Sequence, residues 1–571
     1  MQTVGSVILG TLYLTLLISL SKHGSWLGYG AGFGDHNVLM PQGIQWAIPD
    51  AFQNDWFVKA APQPHWFFDL VISFGVTTGA IDYLLLGYWL IGVAVFTLAT
   101  VLLAQMIVSR FYFLATLLML TIAGVAPWGL FGTGTGTIGM ALPTVLAGNL
   151  IYVVIVLLLR GNSVAAATIG AIVAVVHVQQ GAIIAVIFAA TIVGQWVANR
   201  KVPWHLLIGL ALNAAFVVFG LKLRPVAANP GDFVEVCNTV IPYHCAVWMW
   251  HWPVLAAAIG GCLAGALTYF AMKRGQRLLW ATTIGLVILG YLGGLLCDAL
   301  RIPVLGELAQ SVNANRLGSI IVPFMLWGLL LPLLKIQGFE KFRQRAGALW
   351  MLYGIWAGIA GIALIDPSWN IIYLILDHRV LMVSIAAVAL VFFVVGMLWK
   401  KTLLPWIPAV VVTVTCVIAA SFGGMVQPKP TFNWYSENLS DSVSHHWFRE
   451  VGEVVPAGEI ITAPGTSDTM KLYSQRATIV DCKNVPYGGD AWTEWKKRTS
   501  DLGIDCKSYF EYGPETDVTS LTELAKKYDS RFIVVDQEFI REHREEIEDS
   551  GWQVVLEPNA GVEWTLFELA D

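Results

Sequence analysis

Charge is what this chain has least of. Only 13% of its 571 residues are Asp, Glu, Lys or Arg, where soluble proteins carry about 25%. Hydrophobic residues make up 56% and the mean hydropathy is +0.65. That excludes an ordinary cytosolic enzyme and a disordered chain. The seven cysteines form no C-x-x-C pair and no Cys/His run at zinc-ligand spacing, so no metal and no other cofactor is expected. No internal repeat of the kind transporters carry is visible, and the mid-span segments hold no acids. The charge balance gives no sign of a nucleic-acid partner.

The few charges are unevenly placed. Residues 1–423 hold 12 acidic and 20 basic side chains, net +8, and residues 424–571 hold 27 and 14, net −13, which together give the −5 of the whole chain. Two bodies follow: an α-helical polytopic membrane domain over 1–423 and a small acidic α/β domain over 442–571, joined by a linker at 424–441. A bilayer core of about 30 Å needs roughly 20 apolar residues per helix. Thirteen segments are read as transmembrane helices, near 4–20, 83–108, 112–130, 141–159, 162–176, 181–199, 203–221, 253–272, 279–297, 318–334, 347–365, 380–399 and 404–422. The stretch 65–81 carries Asp69 and is followed by Asp82, which makes it costly in lipid. It reads as an interfacial helix within a long first outer loop, 22–82.

This assignment puts 13 basic residues in the short loops of one side and 7 in the longer loops of the other. The positive-inside rule then places the N-terminus in the cytoplasm and the C-terminal domain outside. Helices and short apolar strands alternate after residue 442, with strands at 459–464, 477–481, 531–536, 552–557 and 562–567 and helices at 442–452, 490–500, 518–528 and 537–548. The segment from Ala463 to Thr469 reads as a loop and is not a G-x-G-x-x-G fingerprint. Cys262, Cys297 and Cys416 read as packing residues. An oxidising outer space permits Cys482–Cys506 and Cys237–Cys245 disulfides.

Chemistry-bearing residues collect on the outer side. Asp35 sits in the polar knot Gly34-Asp35-His36-Asn37 and is either a general base for an acceptor hydroxyl or a turn-forming acid. His177 and Gln180 share a helix face at i, i+3 and either line a site or end a span. Tyr243, His244, Trp248, Trp250, His251 and Trp252 form an interfacial belt or a sugar-stacking wall. Arg316, just before a span, suits a phosphate, of a substrate or of lipid.

The order of these motifs resembles bacterial polytopic glycosyltransferases of the GT-C type. The resemblance is carried by D-x-N…P-D-x-F-x-N-D-x-F in the first loop (Asp35 to Phe57), H-x-x-Q (His177 to Gln180), P-Y-H (Pro242 to His244) and N-x-N-R (Asn313 to Arg316). The C-terminal stretch Ser474-Gln475-Arg476, Ile479-Val480-Asp481-Cys482-Lys483, Pro486 and Glu494-Trp495 resembles the outer domain of a bacterial branch of that group.

The resemblance implies inverting transfer of a sugar from a polyprenyl-phosphate donor to an extracytoplasmic glycan, lipid or protein, next to membrane lipids. It implies a catalytic acid in the first loop, Asp35 first and Asp55 second, with an adjacent interfacial helix. Arg316 with His244 then holds the donor phosphate, and His36, His177, Gln180 and Tyr243 contact substrate. The rival readings are a membrane O-acyltransferase using His177 or His244 as base, a transporter, and a non-catalytic scaffold on a GT-C-like fold.

Overall fold

The computed structural model describes residues 2–19, 31–60, 65–108, 112–125, 138–223, 230–335 and 443–569, with 33, 139, 251, 329, 466, 505, 507–515 and 560 left aside. The expected spans at 347–365, 380–399 and 404–422 and the linker lie outside these residues. The chain divides into two compact units that do not follow sequence order. One comprises Met1–Tyr29, Gly87–Val217 and Tyr243–Trp434, and the other Gly30–Leu86, Val218–Pro242 and Tyr435–Asp571. The first is called here the helical unit and the second the mixed unit.

Apolar runs become helices because a helix satisfies its own backbone in lipid. Among the described residues six helices are long and apolar enough to cross a membrane: Ile81–Ile107, Val178–Asn199, Trp204–Leu223, Val254–Ala271, Arg274–Ala299 and Ala314–Pro332. Gln2–Ser19, Tyr112–Val125, Pro143–Leu159 and Ser163–Val176 are helical as well. The chain is a multi-pass membrane protein.

In the helical unit an aromatic cluster of Phe96, Tyr152, Phe324 and Trp327 packs at ring separations of 5.2–6.4 Å, and Trp327 donates its indole N–H to the Met119 carbonyl at 2.9 Å. Two buried amides act as crosslinks between helices. Asn149 donates to the Gly92 carbonyl at 3.1 Å and Asn213 to the Gly170 carbonyl at 2.8 Å, the use apolar helices make of isolated polar side chains.

The stretch 65–81 forms the 13-residue helix Trp66–Thr78, ending at Gly79 in the left-handed region (φ 65°). At 1.5 Å per residue it is about 20 Å long, too short for a bilayer core. It packs against the helix His36–Ala47. Gly43 makes that approach possible, since a Cβ there would lie 2.6 Å from the Asp69 carbonyl oxygen and from the Ile72 Cβ.

The C-terminal residues form a five-stranded sheet in the order β2-β1-β3-β5-β4, with β1 Ile460–Thr462, β2 Ala477–Thr478, β3 Ser530–Asp536, β4 Trp552–Leu556 and β5 Trp564–Leu569. β1 pairs parallel with β2 and β3, while β5 pairs antiparallel with β3 and β4. Period-two alternation on β3 sorts its side chains between two cores. Phe532 and Val534 join Trp447, Phe448 and Val451 of the helix Val443–Val454. Ile533 and Val535 join Val518, Leu521 and Ala525 of the helix Val518–Lys527. That second helix starts with a reciprocal cap: Asp517 Oδ1 accepts the Ser520 N–H at 2.7 Å and Ser520 Oγ accepts the Asp517 N–H at 2.9 Å, a device worth about 1 kcal/mol.

Three local expectations change. The expected helix 537–548 is two, Gln537–Glu542 and Arg544–Ser550, because His543 leaves helical geometry and lays its ring on Phe539 at 4.5 Å. The end of the expected loop from Ala463 to Thr469 opens a short helix, Asp468–Ser474. β2 ends at Thr478 rather than at Asp481, although Ile479 still donates its N–H to the Ile461 carbonyl of β1 at 3.2 Å. The Cys482–Cys506 disulfide is present with Cα atoms 5.4 Å apart. Cys237 and Cys245 are disulfide-bonded too.

Candidate functional site

In the mixed unit the first-loop acids meet the C-terminal residues. Asp35 precedes the helix His36–Ala47, and its carbonyl accepts the Val38 and Leu39 N–H groups at 3.2 and 3.0 Å. Its side chain does not cap the helix. Instead Asp35 Oδ1 lies 3.0 Å from Lys483 Nζ, with the two side chains 51% and 34% exposed. Two residues on, Asn37 Nδ2 donates to Asp468 Oδ2 at 2.7 Å and to Thr469 Oγ1 at 3.0 Å. His36 faces inward, its Nδ1 accepting the Gly32 N–H at 2.9 Å and its ring stacked on Phe68. That burial sets His36 to holding the loop rather than to touching substrate.

Beneath this surface lies an ionic core. Lys471 Nζ is 3.0 Å from Asp481 Oδ2 and 3.5 Å from Asp55 Oδ2, and all three side chains are only 1% exposed. Asp55 Oδ1 accepts the Val58 N–H at 2.8 Å, fixing the start of the helix Trp56–Ala60. Asp481 Oδ1 accepts the backbone N–H groups of Lys483 at 3.1 Å and Asn484 at 2.7 Å, and the Asn484 amide bonds both carboxylate oxygens. Asp55, the second candidate for the base, is therefore enclosed with a lysine and cannot reach an acceptor hydroxyl. A buried carboxylate survives only with such a partner.

The electrostatics follow this geometry. Burial alone would lower Lys471, but Asp481 and Asp55 outweigh it and hold the ammonium above the ordinary lysine value. Burial likewise works against Lys483, and Asp35 outweighs it. Asp468 is pushed up to about 6 by burial and by the neighbouring Asp481, against the Asn37 hydrogen bond and the charges of Lys483 and Lys471. Burial pulls His65 down to about 4 while Asp35 opposes it.

The remaining candidates lie in the helical unit. His177 stands between two helices, extended at φ −154° and ψ 112°, and caps Val178–Asn199 by accepting the Gln180 N–H on Nδ1 at 3.4 Å. The Gln180 side chain donates to the Thr144 carbonyl at 2.9 Å. The expected shared helix face is thus a helix break, and the structure gives both residues a packing use.

Arg316 Nη2 lies 3.0 Å from His244 Nδ1. A guanidinium has no acceptor, so the imidazole nitrogen accepts and, when neutral, carries its proton on Nε2. The loop holding this pair is fastened from several sides. Asn315 donates to the His244 carbonyl, Asp298 accepts the Val247 N–H at 2.6 Å and the Gln310 amide at 2.8 Å, and Arg301 lies 3.6 Å over the Trp248 ring. Trp248 of the aromatic run is thereby engaged by a cation. Tyr243 belongs to the short helix Pro242–Cys245, and its side chain and that of Trp252 lie outside the described atoms, as does His251.

Sequence reasoning missed Asn37, Asp468 and Lys471. The available signal was Lys471 itself, a lone cation inside Met470-Lys471-Leu472-Tyr473 at the end of a segment read as a loop.

A family described as a domain of unknown function, DUF6798, matches residues 446–502, which include the Ser474 to Trp495 signature. A sequence comparison with curated proteins returns no match. Among solved structures the chain is similar to ArnT from Cupriavidus metallidurans in the apo state, at 13% identity and a TM-score of 0.40 over 99% of this chain and 97% of that one. The same protein bound to undecaprenyl phosphate gives 13% and 0.43 over the same shares. The Archaeoglobus fulgidus oligosaccharyltransferase in its apo form gives 10% and 0.41 over 94% of this chain and 70% of that one.

Proposed function

We propose that this chain is a GT-C-type membrane glycosyltransferase that moves a sugar from a polyprenyl-phosphate donor to an extracytoplasmic glycan, lipid or protein. The observation that supports it best is the Arg316–His244 pair. A planar guanidinium beside an imidazole N–H supplies charge and several hydrogen-bond donors, the set that suits a phosphate gaining charge as it leaves.

Asp35 is the proposed base, since of the two candidates its carboxylate is half-exposed while Asp55 is enclosed. Its carboxylate takes the acceptor hydroxyl proton. The acceptor oxygen bonds to the anomeric carbon from the face opposite the donor, and the bond from that carbon to the phosphate oxygen breaks. The electron pair leaves with the polyprenyl phosphate, so the configuration inverts.

The test is transfer by the full-length protein in lipid nanodiscs, given a panel of radiolabelled polyprenyl-phosphate sugars and envelope extract. Transfer by the wild type that is lost in Asp35→Asn and in Arg316→Ala supports the reading. No transfer from any donor, or transfer undiminished in both variants, overturns it.

A further inference from the structure

The segment that carries Lys483 is held from both sides. On one, Asp481 accepts the backbone N–H groups of Lys483 and Asn484, and is itself anchored to the buried Lys471 at 3.0 Å. On the other, Cys482 is bonded to Cys506 and donates its N–H to the Gly465 carbonyl at 2.8 Å. A backbone fixed at 481, 482 and 484 leaves the Lys483 side chain as the moving part, and its ammonium ends 3.0 Å from Asp35 Oδ1. Asn37, in the first turn of the helix that Asp35 opens, is gripped separately by Asp468 and Thr469. The C-terminal residues thus hold the start of the first-loop helix at two points, one of them the carboxylate itself.

We propose that Lys483 is a positioning residue for Asp35, so that the C-terminal α/β residues are a working part of the transferase and not a cap over it. This rests on the reading of Asp35 as the base. The ammonium, 3.0 Å from Oδ1, fixes the direction in which the carboxylate is presented. The groups facing this pair are His65 across from Asp35, and Asp468 and Tyr487 beside Lys483. Small misplacements of a catalytic group cost up to about a hundredfold in rate.

The experiment uses full-length protein in nanodiscs, as wild type, Lys483→Met, Lys483→Arg, Asp35→Asn and the Asp35→Asn/Lys483→Met double variant. Lys483→Met is expected to lower kcat by about tenfold to a hundredfold with donor KM unchanged, and to move the acid limb of the rate profile to higher pH, because an adjacent cation favours the ionised carboxylate. Lys483→Arg restores most of kcat. In the Asp35→Asn background Lys483→Met has no further effect.

Hydrogen–deuterium exchange of the peptide 31–40 is read alongside and does not depend on turnover. Faster exchange in Lys483→Met than in wild type supports the grip. A Lys483→Met variant with wild-type kcat, acid limb and exchange overturns the proposal, and so does a loss that Lys483→Arg does not repair. A wild type without transfer overturns the reading of Asp35 as a base, while the exchange comparison still decides whether Lys483 holds the loop.

Discussion

The Asp55–Lys471–Asp481 core offers a sharp test of how the mixed unit is held together. Lys471→Met keeps the length of the stem and removes the ammonium, leaving two carboxylates at 1% exposure with no cation 3.0 and 3.5 Å away. Removing one partner of a buried ion pair costs about 3–5 kcal/mol, because the charge left behind has lost both water and its counter-ion. The cost should appear as local opening of the helix Asp468–Ser474, which carries Lys471. Native-state hydrogen exchange of full-length protein in nanodiscs reads it: protection of the peptide 468–476 should fall on the order of 10²–10³-fold, about 1.4 kcal/mol per tenfold.

A companion variant separates charge from shape. Asp55→Asn, Lys471→Met and Asp481→Asn together should lose less than half as much, since no buried charge remains unpaired. The sign of the pH dependence is also set. Burial lowers Lys471 and the two aspartates more than reverse it, so the folded value lies above the ordinary 10.5. The contribution is full below about pH 10.5 and fades as pH rises through the folded value. A loss of protection under about fivefold in Lys471→Met, roughly 1 kcal/mol, would refute the claim that this core is a main support.

Asp468 has a folded value of about 6 against an ordinary 3.8, so it contributes stability below about pH 4 that is lost as pH rises through 6. Exchange protection of the peptide 468–476 should fall over that window in wild type and stay level in Asp468→Asn, and equal profiles would reject the assignment. Replacing Cys482 and Cys506 by alanine, or reducing them, opens a loop with a sequence separation of 24 and should cost about 3 kcal/mol, read as a lower denaturant midpoint for the tryptophan fluorescence transition. Arg316→Lys keeps the charge and loses the planar fork that reaches His244, so the donor KM should rise by about tenfold with the protein still folded; an unchanged KM counts against phosphate binding there. A tag after Asp571 should be cleaved by external protease in intact cells, as the positive-inside count expects, and protection of that tag would reverse the proposed topology.

What could be read in advance follows the range of the forces involved. Spans are long apolar runs, so Val178–Asn199 and Trp204–Leu223 stand out with no partner in view. Asp69 and Asp82 mark 65–81 as costly in lipid, and the stretch forms a helix of only 13 residues, Trp66–Thr78. The strands around Phe532 to Val535 show as a β-branched run whose alternate residues enter two cores.

Site residues were legible by type but not by use. His177 is a polar residue at the end of an apolar run in either reading, and only the extended backbone of the observed structure shows it capping the next helix. Asp35 and Asp55 rank first and second as the first-loop acid, with no sign in the sequence that one is buried and the other exposed. What separates them is Lys483 and Lys471, more than 400 residues away, and no local pattern reports a partner at that distance.

The mixed unit is stitched from residues 30–86, 218–242 and 435–571, which has a consequence for its birth on the ribosome. Asp35 and Lys483 are 448 residues apart, and Asn37 and Asp468 are 431 apart. At about 5–20 residues per second, the first-loop helices emerge some 20–90 seconds before their partners are synthesised. For that interval Asp55 has no Lys471 and Asp35 no Lys483 beside it. The loop must wait in an open, hydrated form, exposed to proteases and to holding factors. The whole unit then closes in a single late event once its last strand, β5, is available. Slow maturation and sensitivity to early termination are thus built into the order of the chain.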